Sequence, residues 1–133
     1  MKTLLTYVIT APVLFIIDLV WLGVISKSLY AKYLGPIMRE SFNMPAAILF
    51  YICYTIGLVY FAITPALDNG SWVTAFGNGA MLGFIAYMTY DLTNLAVLKN
   101  FAWQIVPIDI LWGTILSGAV STIVFFIIKA INL

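Results

Sequence analysis

Three aspartates, Asp18, Asp91 and Asp109, lie inside long apolar stretches of the sequence. An ionised aspartate at mid-membrane costs roughly 2.5–3.5 kcal/mol on insertion scales, and none of these stretches has an interior Lys or Arg to pair with it. Each carboxyl must therefore stay protonated, be solvated by polar neighbours and water, or hold a cation. Such residues can support cation binding, proton exchange or general acid–base chemistry.

The helical wheel around Asp91 indicates which side of that stretch faces protein. Residues suited to close packing and hydrogen bonding fall within one arc at about 100° per residue, namely Ala80, Gly83, Phe84, Tyr87, Tyr90, Asp91 and Asn94. Residues suited to lipid tails fall opposite, namely Met81, Ile85, Met88 and Leu92. Asp91 is therefore predicted to point inward.

Asp109 begins a ridge of small and polar residues in the last apolar stretch. Gly113, Ser117 and Ser121 follow it at intervals of one helical turn. A neighbouring helix can pack closely on such a ridge, so Asp109 is also predicted to point inward. For Asp18, an inward orientation follows mainly from the cost of exposing a carboxyl to lipid.

A tryptophan follows an aspartate at the same spacing in two stretches. The pairs are Asp18 with Trp21 and Asp109 with Trp112. Each indole N–H could donate to the carboxylate of either turn. Because the two helices are predicted to run in opposite directions, the repeated pattern suggests a pseudo-twofold arrangement, as in inverted-repeat transporters.

The sequence thus predicts one shared intramembrane site for a ligand. Its predicted ligand-binding residues are Asp18, Asp91, Asp109, Tyr87, Tyr90, Asn94, Trp21 and Trp112. Further hydrogen bonds could come from Tyr51, Tyr54 and Thr55. Histidine is absent and Cys53 is the only cysteine, which excludes disulfides, thiolate metal clusters and His-based triads. Catalytic residues and cofactors stay unassigned, and no metal ligands are singled out.

Composition identifies the environment in which these aspartates act. Of the 133 residues, 64% are hydrophobic and only 8% are charged, against roughly 25% charged in an average soluble domain. The bilayer is therefore the predicted solvent. A net charge of +1 provides no basic face for a nucleic acid.

The apolar stretches predict an all-α integral membrane bundle of four transmembrane helices in a single domain, residues 1–133. The helices are expected at about 4–25, 45–63, 72–98 and 101–128. Thr64-Pro65 is expected to end the second helix, and Ser71 to cap the third. Pro107 marks either a kink or the true start of the fourth. These bounds place all three acids about 10–12 Å from one end of the bundle.

Basic residues suggest how the chain is oriented. Four predicted spans put both termini on one side and the connections at 26–44 and near residue 99 on the other. Lys27, Lys32, Arg39 and Lys99 lie on the connection side, against Lys2 and Lys129 on the terminal side. This asymmetry favours connections in the cytoplasm and termini outside, although the free amino terminus with Lys2 favours the reverse.

Three strings in the sequence resemble a known family. They are Asp18-Leu19-Val20-Trp21-Leu22-Gly23, Thr89-Tyr90-Asp91-Leu92-Thr93-Asn94-Leu95-Ala96 and Asp109-Ile110-Leu111-Trp112-Gly113-Thr114. The chain resembles, over essentially its whole length, a bacterial family of predicted four-helix inner-membrane proteins known as a domain of unknown function. The resemblance implies a multi-pass protein of the bacterial inner (cytoplasmic) membrane and carries no catalytic role with it.

Three functions fit these observations. The leading hypothesis is an acidic, aromatic-lined intramembrane site that binds or transports a cation or a small polar or cationic molecule, or binds a lipid headgroup. A homodimer would help here, because four helices enclose little volume. The second is a membrane-embedded enzyme acting on lipid through paired Asp residues or an oxygen-ligated metal. The third is a non-catalytic accessory subunit whose acids are buried, hydrogen-bonded glue.

Overall fold

The computed structural model describes residues 2–21, 23, 32–33 and 43–131. Within this part of the chain the long helices are α1 (Lys2–Val20), α2 (Met44–Asn69), α3 (Trp72–Val97) and α4 (Ile105–Ala130). No strand occurs among the described residues. The predicted all-α bundle of four helices is therefore confirmed. Residues 24–31 and 34–42, which include Lys27 and Arg39 of the orientation argument, lie outside the described residues.

Among the described residues, α1, α2 and α4 are long and apolar enough to cross a membrane. α3 equals α4 in length, at 26 residues each, but small and polar residues form its buried face. Large apolar side chains are exposed on all four helices, for example Leu4, Leu49, Met81 and Leu111. Lipid tails would cover such a surface without a free-energy penalty.

The second helix continues past Pro65, although the sequence analysis expected Thr64-Pro65 to end it. A π-helical turn at Val59–Ile63 joins Met44–Leu58 to Thr64–Asn69. In this turn the Thr64 N–H bonds to the Val59 carbonyl, five residues back. Pro65 has no N–H to offer the Phe61 carbonyl, and the Asn78 amide of α3 donates to that oxygen at 3.0 Å. The tertiary contact therefore satisfies the carbonyl that proline leaves unpaired.

The helix ends follow the expected turn chemistry in part. Asn43 caps α2 by accepting a hydrogen bond from the Ala46 N–H at 3.3 Å, as the sequence suggests. Gly70 adopts a left-handed conformation with φ of 67° and ends α2. Ser71 occupies the capping position of α3, but its side chain makes no capping bond. The predicted Ser71 cap is therefore wrong.

α3 and α4 form the most extensive helix pair in the described chain. Their contact is a glycine–serine seam, which we define as Gly79 and Gly83 of α3 against Ser117 and Ser121 of α4. A Cβ atom added at Gly79 would lie 2.5 Å from Ser121 Oγ, and one added at Gly83 would lie 2.5 Å from Ser117 Oγ. Small residues thus allow the two backbones to approach closely. The predicted ridge on α4 is buried, as expected.

The fourth helix begins at Ile105, later than the predicted Phe101. The Ile105 and Val106 amides bond to the Ala102 and Trp103 carbonyls in a preceding turn. Phe101 is instead buried in a small cluster with Ile105 and Val106. Pro107 therefore lies in the first turn of α4, where its missing N–H breaks no helical bond.

The later start changes the depth of the acids. Asp109 is four residues beyond the start of α4, about 6 Å along the axis, and Asp91 is six residues before the end of α3, about 9 Å. The predicted common depth of 10–12 Å is therefore too large for both. The two acids still lie at the same end of the bundle, since α3 ends where α4 begins.

Candidate functional site

The structure brings Asp18, Asp91 and Asp109 together from three helices, and we call these residues the acid cluster. Asp18 comes from the end of α1, Asp91 from the end of α3 and Asp109 from the start of α4. Their exposed fractions are 6%, 1% and 7%. The inward orientation that the sequence analysis predicted for these side chains is therefore confirmed.

Both oxygens of the Asp18 carboxyl accept a hydrogen bond from another helix. The Tyr51 hydroxyl of α2 donates to Oδ2 at 2.5 Å. The Trp112 indole of α4 donates to Oδ1 at 3.4 Å. The Tyr51 ring is held in turn by an edge contact with Phe15, with centroids 5.4 Å apart. Asp18 is thus an acceptor supplied with donors from two neighbouring helices.

Asp91 and Asp109 form a second unit within the cluster. Their carboxyls lie within hydrogen-bonding reach of each other. Oδ2 of Asp91 is buried and receives no donor from the described residues. Two carboxylates are both acceptors, so they can bond directly only if one of them carries a proton. A direct hydrogen bond between Asp91 and Asp109 therefore requires a proton on one of the two carboxyls.

The two units are coupled through space. Asp109 lies within electrostatic range of Asp18, and like charges at short distance in a poorly polarisable environment repel strongly. Full ionisation of all three acids would therefore be costly without a compensating cation. The cluster behaves as one electrostatic site even though its members make different hydrogen bonds.

The tryptophans of the two predicted Asp and Trp pairs stack on each other. The Trp21 and Trp112 rings stack with centroids 4.4 Å apart and an interplanar angle of 9°. Trp112 donates to Asp18 of the other helix. These contacts hold α1 and α4 side by side, and the stacked indoles lie next to the acid cluster.

Tyr87 and Tyr54 pack against each other between the acid cluster and the glycine–serine seam. The Tyr87 ring packs on Gly113, where a Cβ atom would overlap the ring. Tyr54 contacts Tyr87 edge to face at 6.4 Å, and its hydroxyl hydrogen-bonds to Ser117 Oγ at 2.5 Å. These contacts close the space between the acid cluster and the glycine–serine seam.

Tyr90 and Asn94 lie at the rim. Tyr90 is 56% exposed, hydrogen-bonds to Asn94, and lies within electrostatic range of Asp91 and Asp109. Its ring contacts Phe101 edge to face at 6.3 Å. Phe84, which the helical wheel placed on the inward arc, is 43% exposed and faces outward. The wheel is wrong there because α4 covers a narrower strip of α3 than the arc includes.

Several residues near the site have roles that the sequence showed only faintly. Tyr51 was one of several possible hydrogen-bond donors, and the structure singles it out as the partner of Asp18. Thr55, one turn further along α2, has a buried hydroxyl without a partner among the described residues. Asn78, which donates to the Phe61 carbonyl, is not among the predicted site residues. An amide in an apolar stretch near a proline-containing helix is a sequence signal for such a bond.

Among the described residues, no group of three or more His, Cys, Asp or Glu side chains is placed to hold a metal ion. Phenol and indole groups lie beside the acid cluster, with the Tyr51 hydroxyl and the Trp112 N–H bonded to Asp18.

The fold and the site define a class: a helical membrane protein with a buried acidic cluster near one end of its bundle. The family model described as "Predicted membrane protein (DUF2177)" matches residues 3–126, and the chain belongs to this family. The resemblance seen in the sequence strings is thereby confirmed. Comparison with curated proteins and with solved structures gives no match.

Proposed function

We propose that this membrane protein binds or transports a cation or a small cationic molecule at the acid cluster. The observation that carries the proposal is the meeting of three buried carboxyls from three helices, with Asp91 and Asp109 facing each other as acceptors. Burying carboxyls in this arrangement costs free energy in the absence of a cation or proton. A site that binds a cation recovers that cost when it is filled.

The sequence around the site favours a cation from outside the helices. Residues 3–20, 44–97 and 105–128 contain no Lys or Arg. No basic side chain within the helices therefore neutralises the carboxyls at their own depth. The surrounding rings of Tyr87, Tyr90 and Trp112 add faces that attract cations.

Contacts between helices support this proposal more than the accessory-subunit hypothesis. Structural aspartates would lie apart, each satisfied within its own helix. Here the Asp18 donors come from α2 and α4, and Asp91 meets Asp109 across the boundary of α3 and α4. Interactions between helices of this kind are typical of an assembled site.

The proposed location is the bacterial inner membrane, with several spans and the connections in the cytoplasm. The support is the excess of basic residues in those connections. The acid cluster would then open to the cytoplasmic side. A second copy of the chain would enlarge the volume around the site and is part of the proposal.

Thermal unfolding of the purified protein in detergent tests the binding proposal. The probes are Na⁺, Mg²⁺ and benzylammonium, each at saturating concentration and constant ionic strength. A ligand at about a hundred times its Kd stabilises a protein by about 2.7 kcal/mol. We expect at least one cation to raise the unfolding temperature of the wild-type protein.

The matched variants are Asp91→Asn, at the cluster, and Asp68→Asn, at the exposed end of α2. Asp91→Asn should remove the stabilisation by the cation, whereas Asp68→Asn should keep it. An unchanged response in folded Asp91→Asn protein would exclude the acid cluster as the binding site, as would no response to any probe in the wild type.

A further inference from the structure

The facing carboxyls of Asp91 and Asp109 allow a more specific conclusion, which rests on the proposed function. We propose that a proton and a singly charged ammonium group compete for the position between these two carboxyls, so that binding of one ammonium releases one proton. Asp18, whose oxygens already accept hydrogen bonds from Tyr51 and Trp112, takes no part in the exchange.

One oxygen of the buried Asp91 carboxyl lacks a donor among the described residues. The Asp91 side chain is only 1% exposed, and its Oδ2 receives no donor from the described residues. The neighbouring carboxyl of Asp109 is within hydrogen-bonding reach but is itself an acceptor when ionised. A shared proton satisfies both groups, as in other closely spaced carboxyl pairs.

Asp18 differs from Asp91 because both of its carboxyl oxygens have hydrogen-bond donors. Tyr51 and Trp112 already donate to its two oxygens, so Asp18 needs no proton to be satisfied in its buried position. It lies within electrostatic range of Asp109. Its carboxylate form would add to the attraction of a cation to the pair.

The charge balance requires a ligand with one positive charge. The protonated pair carries one negative charge in total, as one carboxyl group and one carboxylate. An ammonium R–NH₃⁺ that inserts between them breaks the O–H bond, and the proton leaves to solvent. The product is two carboxylates around one ammonium, plus one free proton, so the total charge is unchanged. A singly charged ligand therefore replaces the proton without altering the net charge of the buried site.

The ligand chemistry favours ammonium over a bare metal ion. An ammonium group has three N–H donors and is satisfied by a few acceptors, two of which the pair supplies. A metal ion needs a fuller oxygen shell, and no group of three or more His, Cys, Asp or Glu side chains among the described residues is placed to hold one. The exposed Tyr90 ring, within electrostatic range of Asp91 and Asp109, suits the organic part of the ligand and its charge.

Two other titratable groups lie within electrostatic range of the pair, Tyr90 of α3 and Asp18 of α1. Tyr51 and Tyr54 of α2 lie near Asp18. Phenols are uncharged at neutral pH, so they do not contribute a competing proton release there. The expected exchange is therefore assigned to Asp91 and Asp109 alone.

Infrared spectroscopy of the ligand-free protein tests the shared proton. A neutral carboxyl group has a C=O stretching band separate from those of carboxylates and amides. We expect such a band at neutral pH in the wild type, in Asp18→Asn and in Asp68→Asn. It should be lost in Asp91→Asn and in Asp109→Asn, because the new amide can donate to the remaining carboxylate. Absence of the band from the wild type, or its loss only in Asp18→Asn, would overturn the inference.

Proton release on binding provides the second test. Benzylammonium is added to wild-type protein in weakly buffered detergent solution while the pH and the bound fraction are recorded. We expect about one proton released per ligand bound in the wild type, and the same amount in Asp68→Asn protein. Asp91→Asn should release none. If Asp91→Asn does not fold, Asp109→Asn replaces it and should also release none.

The outcomes distinguish the two levels of the proposal. Binding of benzylammonium without proton release would leave the cation site standing and refute the exchange. Binding and proton release with Na⁺ but not with benzylammonium would refute the ammonium class. No binding of any cation would refute the proposed function itself.

Discussion

The acid cluster and the glycine–serine seam both lie along the contact of α3 and α4, but different interactions hold them together. In the seam, the backbones approach so closely that a Cβ atom at Gly79 would lie 2.5 Å from Ser121 Oγ. In the acid cluster, long side chains reach across from α1, α2 and α4, such as Tyr51 and Trp112 towards Asp18. The seam therefore sets the distance between the helices, and the cluster uses that distance to place its carboxyls.

The comparison also predicts how the two regions respond to substitution. The seam tolerates no added atoms without backbone movement. The acid cluster depends on individual hydrogen bonds between side chains. Variants in the two regions should consequently differ in what they change: the seam should affect folding, and the cluster should affect local structure and binding.

The largest effect on stability is expected from Gly83→Ala. The new methyl group would lie 2.5 Å from Ser117 Oγ and would overlap the Gly113 carbonyl, which is backbone and cannot rotate away. Overpacking of this kind costs about 3 kcal/mol. Reversible unfolding in mixed detergent micelles measures the loss.

The matched control for this variant is Gly77→Ala on the same helix. A Cβ atom at Gly77 has no neighbour within 4 Å, so the substitution should stabilise α3 slightly through its helix propensity, by up to about 1 kcal/mol. Equal effects of the two substitutions would show that the seam is not a close backbone contact.

Tyr51→Phe should have the next largest effect. It removes the 2.5 Å hydrogen bond to Asp18 and leaves a buried carboxyl with one donor fewer, at a cost of about 2 kcal/mol. Chemical unfolding of wild type and variant gives the difference. Tyr60→Phe is the control, because Tyr60 is 68% exposed and should change stability by less than about 0.5 kcal/mol. A loss in Tyr51→Phe no larger than this would contradict the assigned role.

Trp112→Phe is expected to cost about 1.5 kcal/mol, because it weakens the stacking on Trp21 and removes the 3.4 Å bond to Asp18. The fluorescence of Trp21 should change as well, since its stacked neighbour is replaced. Trp103→Phe, at a residue that is 64% exposed, should leave the stability unchanged. If Trp112→Phe altered neither stability nor the environment of Trp21, the stacked pair would be refuted.

Ser117→Ala should have the smallest effect, about 1 kcal/mol. It removes the hydroxyl that hydrogen-bonds to Tyr54 at 2.5 Å but adds no volume to the seam. Ser121→Ala one turn later is the matched control, because the Ser121 hydroxyl is buried without a partner among the described residues. Its removal should be neutral or slightly stabilising. The reverse order of the two variants would contradict the comparison within the seam.

Local sequence patterns predicted much of this architecture. The small residues around Gly83 and the ridge from Gly113 to Ser121 indicated the faces that α3 and α4 bury, because the helical period alone determines which residues share a face. The same argument oriented Asp91 correctly. It failed at Phe84, since the width of a helix contact depends on the neighbour and is not encoded in the wheel.

Helix ends were predicted less well, for a physical reason in each case. Pro65 normally ends a helix, but the π-helical turn before it and the amide of Asn78 from α3 together satisfy the backbone. Phe101 was expected to begin α4, yet its burial against Ile105 and Val106 draws it into a hydrophobic cluster instead. The first outcome depends on a contact with α3, and the second on side-chain packing in the turn before α4.

By itself, the sequence determined the environment of this protein and its helical class. Few charges, long apolar stretches and unpaired intramembrane acids permit little other than helices in a bilayer, since every backbone polar group must be satisfied within its own segment. The tertiary structure decided which acid received donors and which acid faced another. Those partners depend on how the helices are rotated and shifted against each other, and packing at the glycine–serine seam fixes that register.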